Sequence, residues 1–144
     1  MYDDNFFMKE ALKEAQKAYD ADEVPIGVVI VAANKIIARA HNLTERLNDV
    51  TAHAEMQGIT AAENALGGKY LHDCTMYVTV EPCIMCAGAL NWAQVSRIVY
   101  GASDNRRGYS TVGASILHPK TTLVRGIMEE ECSALMKSFF AKKR

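Results

Sequence analysis

The spacing of apolar residues changes period several times along the chain. Met8, Ala11, Leu12, Ala15, Ala18 and Tyr19 recur at helical intervals, which predicts an amphipathic helix over about 4–21. The apolar run over 24–32 reads as a buried strand, Ala33-Asn34-Lys35 as a turn, and 36–40 as a second strand paired antiparallel to the first. A helix follows over about 52–66 and ends at Gly67-Gly68. The alternating, β-branched stretch 75–80 predicts a strand that delivers the chain to Pro82, and 83–93 continues as a helix. A short strand over 97–101, a less regular stretch through Gly108 and Gly113, and a last strand over 122–125 come next. The tail from about 129 to 142 is a helix with Cys132, Leu135, Met136 and Phe139 facing inward.

Strands and helices alternate after residue 70, which implies crossover connections and a largely parallel portion of sheet with helices on both faces. The expected fold is α/β: a three-layer α/β/α arrangement around a mixed five-stranded sheet, forming one domain over 1–144. No internal repeat, linker or low-complexity tract interrupts it.

Composition changes this picture little. At 144 residues, with 49% hydrophobic and 23% charged residues, the chain suits a soluble domain with a sizeable core. Four cysteines are too few for a dense disulfide framework, and the start Met1-Tyr2-Asp3-Asp4-Asn5-Phe6-Phe7 lacks the basic and long apolar regions of a signal peptide. The longest apolar stretch is too short to span a bilayer. A cytoplasmic location is expected, without a membrane partner. The net charge of −1 argues against broad, non-specific nucleic-acid binding but leaves room for local contact.

Two short motifs carry the chemistry. Pro82-Cys83-Ile84-Met85-Cys86 places two thiols at i and i+3, and with a helix beginning near Pro82 both fall on one face of its opening turn. The positive end of that helix favours thiolate, the form that binds metal. His53-Ala54-Glu55 lies one supersecondary unit earlier, with Thr51 as a candidate helix cap. Residues two apart on a regular helix point to nearly opposite sides, so His53 and Glu55 share a site only at a helix end. Three protein ligands (His53, Cys83 and Cys86), an open position for water and a carboxylate base (Glu55) make the pattern of a catalytic zinc site. Cys74, Cys132, His41, His72 and His118 are spare ligands that can complete a closed, structural zinc site instead.

Thr51 to Met56 and the run Tyr77-Val78-Thr79-Val80-Glu81-Pro82-Cys83-Ile84-Met85-Cys86-Ala87-Gly88-Ala89 resemble the cytidine deaminase superfamily, and within it the bacterial tRNA-specific adenosine deaminases of the TadA type. The H-x-E…P-C-x-x-C signature of zinc deaminases is the core of that likeness. It extends through Glu23-Val24-Pro25-Ile26-Gly27, His41-Asn42, Tyr100-Gly101-Ala102 and the tail from Glu131 to Phe140. The resemblance implies hydrolytic deamination of adenosine to inosine at the wobble position of a tRNA anticodon. His53, Cys83 and Cys86 would hold one Zn2+ per subunit with a water as fourth ligand, and Glu55 would shuttle protons. Asn42 would hydrogen-bond the purine and Ala54 would present a backbone group to it. An anticodon loop offers bases that can be splayed out singly, and a homodimer with RNA spanning both subunits is implied too.

Basic and aromatic residues at Arg106, Arg107, Phe140, Lys142, Lys143 and Arg144 are candidate RNA contacts. The stretch 104–110 departs from the family pattern, carrying bulky Tyr109 where small residues are usual. Asn91-Trp92-Ala93 resembles guanine deaminases of the same superfamily, so a free guanine or nucleoside deaminase is the enzymatic alternative. A zinc-stabilised RNA-binding module is the non-enzymatic one.

Overall fold

The computed structural model describes residues 1–143. Its strands are β1 (Gly27–Ala32), β2 (Lys35–His41), β3 (Cys74–Val80), β4 (Arg97–Ala102) and β5 (Thr122–Arg125); its α-helices are α1 (Asp4–Asp20), α2 (Ala54–Leu66), α3 (Ile84–Ala93) and α4 (Glu129–Ala141). The strands form one sheet in the order β2-β1-β3-β4-β5, with β1 antiparallel to both neighbours and β3, β4 and β5 mutually parallel. This is the mixed five-stranded sheet expected from the chain. The β1–β2 turn is tight because Ala33 and Asn34 both adopt positive φ, 51° and 61°, as the two-residue hairpin turns that match strand twist require.

Alternation along the strands builds two cores. Val28 and Ile30 of β1, Met76 and Val78 of β3, and Ile98 and Tyr100 of β4 pack against α2 and α3. Val29 and Val31, Tyr77 and Val99 point the other way, onto Phe7, Met8 and Ala11 of α1 and Cys132 of α4. Helix α1 approaches β1 so closely that a Cβ on Gly27 would lie 2.1 Å from the Ala11 carbonyl oxygen and 2.3 Å from the Ala15 nitrogen. Only glycine fits there.

Several strand ends differ by one residue from the sequence-based expectation, and three boundaries near the site differ for a physical reason. Strand β1 starts at Gly27 and not at Val24, because Pro25 has no N–H to give a ladder. Helix α2 is capped by His53, whereas Thr51 gives both its N–H and its hydroxyl to Asp49 Oδ1, at 2.8 and 2.7 Å. Helix α3 starts at Ile84 with Cys83 as its cap, so Pro82 stands one step outside the helix and not at its first position. Both shifts put a candidate metal ligand, His53 or Cys83, at an N-cap, where the backbone is extended and the side chain is free of the helical period.

Candidate functional site

Helix α2 begins after the loop that leaves β2, and α3 begins directly after β3, so their amino ends meet beyond the carboxyl edge of the parallel strands. Crevices at that edge are where open α/β sheets bind ligands. His53 Nδ1 lies 3.6 Å from Cys83 Sγ and 3.6 Å from Cys86 Sγ, and the three donor atoms all fall within 4.8 Å of one another. The cap position of Cys83 makes its sulfur accept the Cys86 N–H at 3.5 Å. Helix geometry thus brings both thiols to one point, and the extended His53 cap turns the imidazole toward them.

The donor set fits a tetrahedral zinc ion. With Zn–N about 2.0 Å and Zn–S about 2.3 Å, tetrahedral coordination gives N···S edges of about 3.6 Å, the separation found here. Proton competition within the cluster points the same way. The Cys86 thiol, with His53 beside it, holds the Cys83 thiol down to about 4, while the hydrogen bond to Cys83 and burial push Cys86 far up. The same Cys83 sulfur raises the proton affinity of His53. A divalent ion removes the conflict by replacing the shared protons.

Glu55 sits in the first turn of α2, only 3% exposed, and its Oε1 has no hydrogen-bond partner. Burial pushes its carboxyl up to about 7. A buried, half-satisfied carboxyl with affinity for a proton near neutrality is costly to keep and suited to acid–base work.

His53, Ala54, Glu55 and Cys83 form the floor of a cavity of ≈ 740 Å³. Asn42 and Thr44 wall it on one side and residues 102–107 on the other, while Ser133, Met136, Lys137 and Phe140 of α4 close the rim. Asn42 is buried, and its Oδ1 accepts the Thr44 N–H at 3.3 Å. Its side-chain oxygen shapes the turn while the residue still borders the cavity. Arg106 and Arg107 line the cavity too, their N–H groups held by Asp104 Oδ1 at 3.0 and 3.1 Å. Lys142 lies over the Tyr19 ring at 4.0 Å, and Lys143 bonds Asp22 Oδ1 at 2.5 Å beside an adjoining groove. Arg144 lies outside the described residues.

The spare ligands stay apart from this cluster. Cys74 is buried with its thiol on the His72 carbonyl, and Cys132 packs under Gly101. His72 bonds Gln94 and stacks on Tyr70, His41 faces Glu14, and His118 accepts the Lys120 N–H. Among the described residues, His53, Cys83 and Cys86 are the one such donor group. Tyr109, whose bulk set 104–110 apart from the family pattern, turns inward: it is 4% exposed, with its hydroxyl 3.2 Å from that of Tyr100. Sequence reasoning missed Thr44, Ser133 and Met136 as cavity residues. Lys137, a cation of the basic tail one turn before Phe140, joins them in the lining.

The family model described as cytidine and deoxycytidylate deaminase zinc-binding region matches residues 1–102. A tRNA-specific adenosine deaminase of Bacillus subtilis is 45% identical over the whole chain and 92% of that protein. A solved structure from work on A-to-I editing by tRNA:A34 deaminases at the wobble position is 41% identical, with a TM-score of 0.84 over 90% of this chain and 98% of that one. A guanine deaminase from Nitrosomonas europaea shares the fold, with a TM-score of 0.86 over 98% of this chain and 86% of that one, at 21% identity. With a zinc-binding family model over most of its length and full-length relatives well above 30% identity, the chain belongs to the cytidine and deoxycytidylate deaminase zinc-binding family, among its tRNA-specific adenosine deaminases.

Proposed function

We propose that this protein deaminates adenosine to inosine at the wobble position of a tRNA anticodon, consuming water and releasing ammonia. It works as one deaminase domain over 1–144. The observation that carries the reading is the buried, unpartnered Glu55 oxygen beside the His53–Cys83–Cys86 cluster, at the floor of a cavity rimmed by Arg106, Arg107 and Lys137. His53, Cys83 and Cys86 hold the zinc. Zinc bound at such a three-ligand site makes a water acidic near neutrality and so supplies the nucleophile for C6 of the purine.

The chain's own groups do the rest. Glu55 accepts one proton from water at Oε1 and gives it to the ring nitrogen as the C6–O bond forms; it then takes the proton of the new C6 hydroxyl and gives it to the amine, which leaves as ammonia while the carbonyl forms, the double role of a positioned carboxyl. Asn42 orients the purine edge. Ala54, the first residue of α2, offers a backbone group at the cavity floor, in a turn without a side-chain cap. Arg106, Arg107, Lys137 and exposed Phe140 contact the RNA around the extruded base, with Lys142 and Lys143 extending the cationic margin; charge and stacking of this kind grip single-stranded nucleotides. A zinc-stabilised RNA-binding module needs no buried base and leaves Glu55 unexplained.

Incubation with an anticodon stem-loop carrying A34, with free guanine and cytidine in parallel, tests the reading. Inosine at the wobble base is expected. Turnover of free guanine alone, or none at all, would overturn it.

The enzyme also works as a homodimer in the cytoplasm. Support for the dimer comes from the outer stripe of α3, where Ile84, Met85 and Trp92 are exposed, Trp92 at 85%, with Val112 exposed as well. A patch of large apolar side chains on one helix face marks an association surface. No helix among the described residues is long and apolar enough to cross a membrane. Light scattering should give twice the chain mass for the wild type and a shift toward monomer for W92E.

A further inference from the structure

Three buried carboxylates remain outside the chemistry described so far, and one of them, Glu14, is ion-paired with Lys17 and Arg39; the other two are Glu23 and Glu81. Glu23 is 1% and Glu81 3% exposed. Among the described residues neither forms an ion pair. A buried charge is tolerated only when hydrogen bonds replace its water. Here the donors come mainly from the backbone of loops remote in sequence. Glu23 accepts the N–H of Glu45 at 3.0 Å on Oε1 and that of Arg46 at 2.7 Å on Oε2, with the Thr44 hydroxyl at 3.5 Å. Glu81 accepts the N–H of Asp104 at 3.0 Å on Oε1, and the N–H and hydroxyl of Ser110 at 2.9 and 2.6 Å on Oε2.

Each carboxylate thereby ties down one wall of the cavity. The first loop brings Asn42 and Thr44 to it, the second Asp104 to Arg107. Resting on the deaminase reading above, we propose that Glu23 and Glu81 are positioning residues that fix the two loop walls at the spacing needed to receive a single extruded nucleotide. Loop backbones have no ladder of their own, and a carboxylate with two acceptor oxygens stands in for one.

The second wall is also keyed to the metal-binding segment. Cys83 pairs with Gly108 in an isolated antiparallel bridge, and Tyr109 donates its N–H to the Pro82 carbonyl at 2.9 Å. A Cβ on Gly108 would come within 2.1 Å of Glu81 Oε2. Loop and carboxylate are therefore in direct contact, with no room between them. Neither substitute for glutamate preserves this. Glutamine must turn its NH2 onto a backbone N–H, because both oxygens are already acceptors from N–H donors, and aspartate is one methylene too short to reach both donors.

Cys83 touches the second loop through its bridge to Gly108, but the donors are placed by the amino ends of α2 and α3, so the loss of either carboxylate loosens the walls and leaves the donor set in place. In E81Q and E23Q, zinc stoichiometry should stay at one per chain. KM for the anticodon stem-loop should rise about tenfold, the equivalent of one lost charge-assisted hydrogen bond, with kcat falling by a smaller factor. Amide hydrogen exchange gives a readout independent of turnover. Exchange at Asp104 and Ser110 should accelerate in E81Q and at Glu45 and Arg46 in E23Q, each variant leaving the other loop unchanged. G108A drives a methyl against Glu81 Oε2 and the Asp104 carbonyl, displacing the same loop while the glutamate keeps its charge and length; it should reproduce the E81Q pattern, so it serves if E81Q does not fold. Unchanged KM, or activity lost together with zinc while loop exchange stays as in wild type, would overturn the assignment. If wild type itself leaves the stem-loop unmodified, the deaminase reading falls, and the exchange experiment still decides whether the carboxylates hold the loops.

Discussion

Asp4 and Glu55 are carboxyl groups in the first turns of helices on opposite faces of the same sheet, and their surroundings differ in kind. Asp4 accepts two hydrogen bonds from the Arg97 guanidinium, at 2.8 and 2.6 Å, and one from the Tyr77 hydroxyl at 2.7 Å. Glu55 is more deeply buried, yet one of its oxygens has no partner. The Arg97 hydrogen bonds hold Asp4 below the usual carboxylate range, whereas burial drives Glu55 up to about 7. On the α1 face every acceptor of the pair is used and the result is stability. On the metal face one buried acceptor is left without a partner, and that unused acceptor is what suits the group to take a proton from a reactant.

Replacing each carboxyl by its amide should break this symmetry in opposite directions. E55Q removes the proton carrier and should lower kcat by about 10²–10⁴-fold, the range for a lost general acid–base group. Zinc, measured by atomic absorption, should remain at one per chain. The melting temperature should not fall, because a neutral amide is cheaper to bury than a half-satisfied carboxylate, and relief of an unsatisfied buried group is worth about 1 kcal/mol or more. Appreciable residual turnover would remove Glu55 from the proton path, and a lower melting temperature would make it a structural residue like Asp4.

The chemical half of this contrast was legible in the chain. His53, Glu55, Cys83 and Cys86 sit at two helix starts, where covalent spacing and helix geometry leave few arrangements, and the strand and helix periods place those starts at one sheet edge. The parts that could not be read depend on contacts with no local signature. Thr51 looked like the cap of α2 but is taken by Asp49, a competition inside a turn that periodicity does not register. Glu23 and Glu81 act on backbone N–H groups more than twenty residues away, as in the 22-residue separation from Glu23 to Glu45, and a backbone donor has no residue type to recognise. Tyr109 is bulky for its place in the loop, and only the sheet supplies Tyr100 as its partner. Lys137 joined the cavity only because α4 packs on the outer face of β4, whereas Lys142 was drawn to Tyr19.

The Asp4 side of the comparison predicts a smaller effect with its own pH signature. D4N keeps one acceptor for Arg97 and loses the charge, which at a partly exposed pair should cost about 1 kcal/mol, or about 3 °C in melting temperature for a chain of this size. Deamination kinetics should be unchanged, since Asp4, Tyr77 and Arg97 belong neither to the cavity lining nor to the metal-binding cluster. In the folded protein Asp4 titrates below its ordinary value of 3.8, so between the two values the unfolded chain binds more protons than the folded one. The stabilisation is therefore complete above the unfolded value and fades as pH falls through the folded one. Urea unfolding of wild type and D4N should show a constant gap at neutral pH that closes as pH drops below about 4. A gap that persists in acid would mean that the asparagine is disturbing packing around Tyr77 and Arg97 and not removing a charge, and the contrast with Glu55 would then rest on shape instead of protonation.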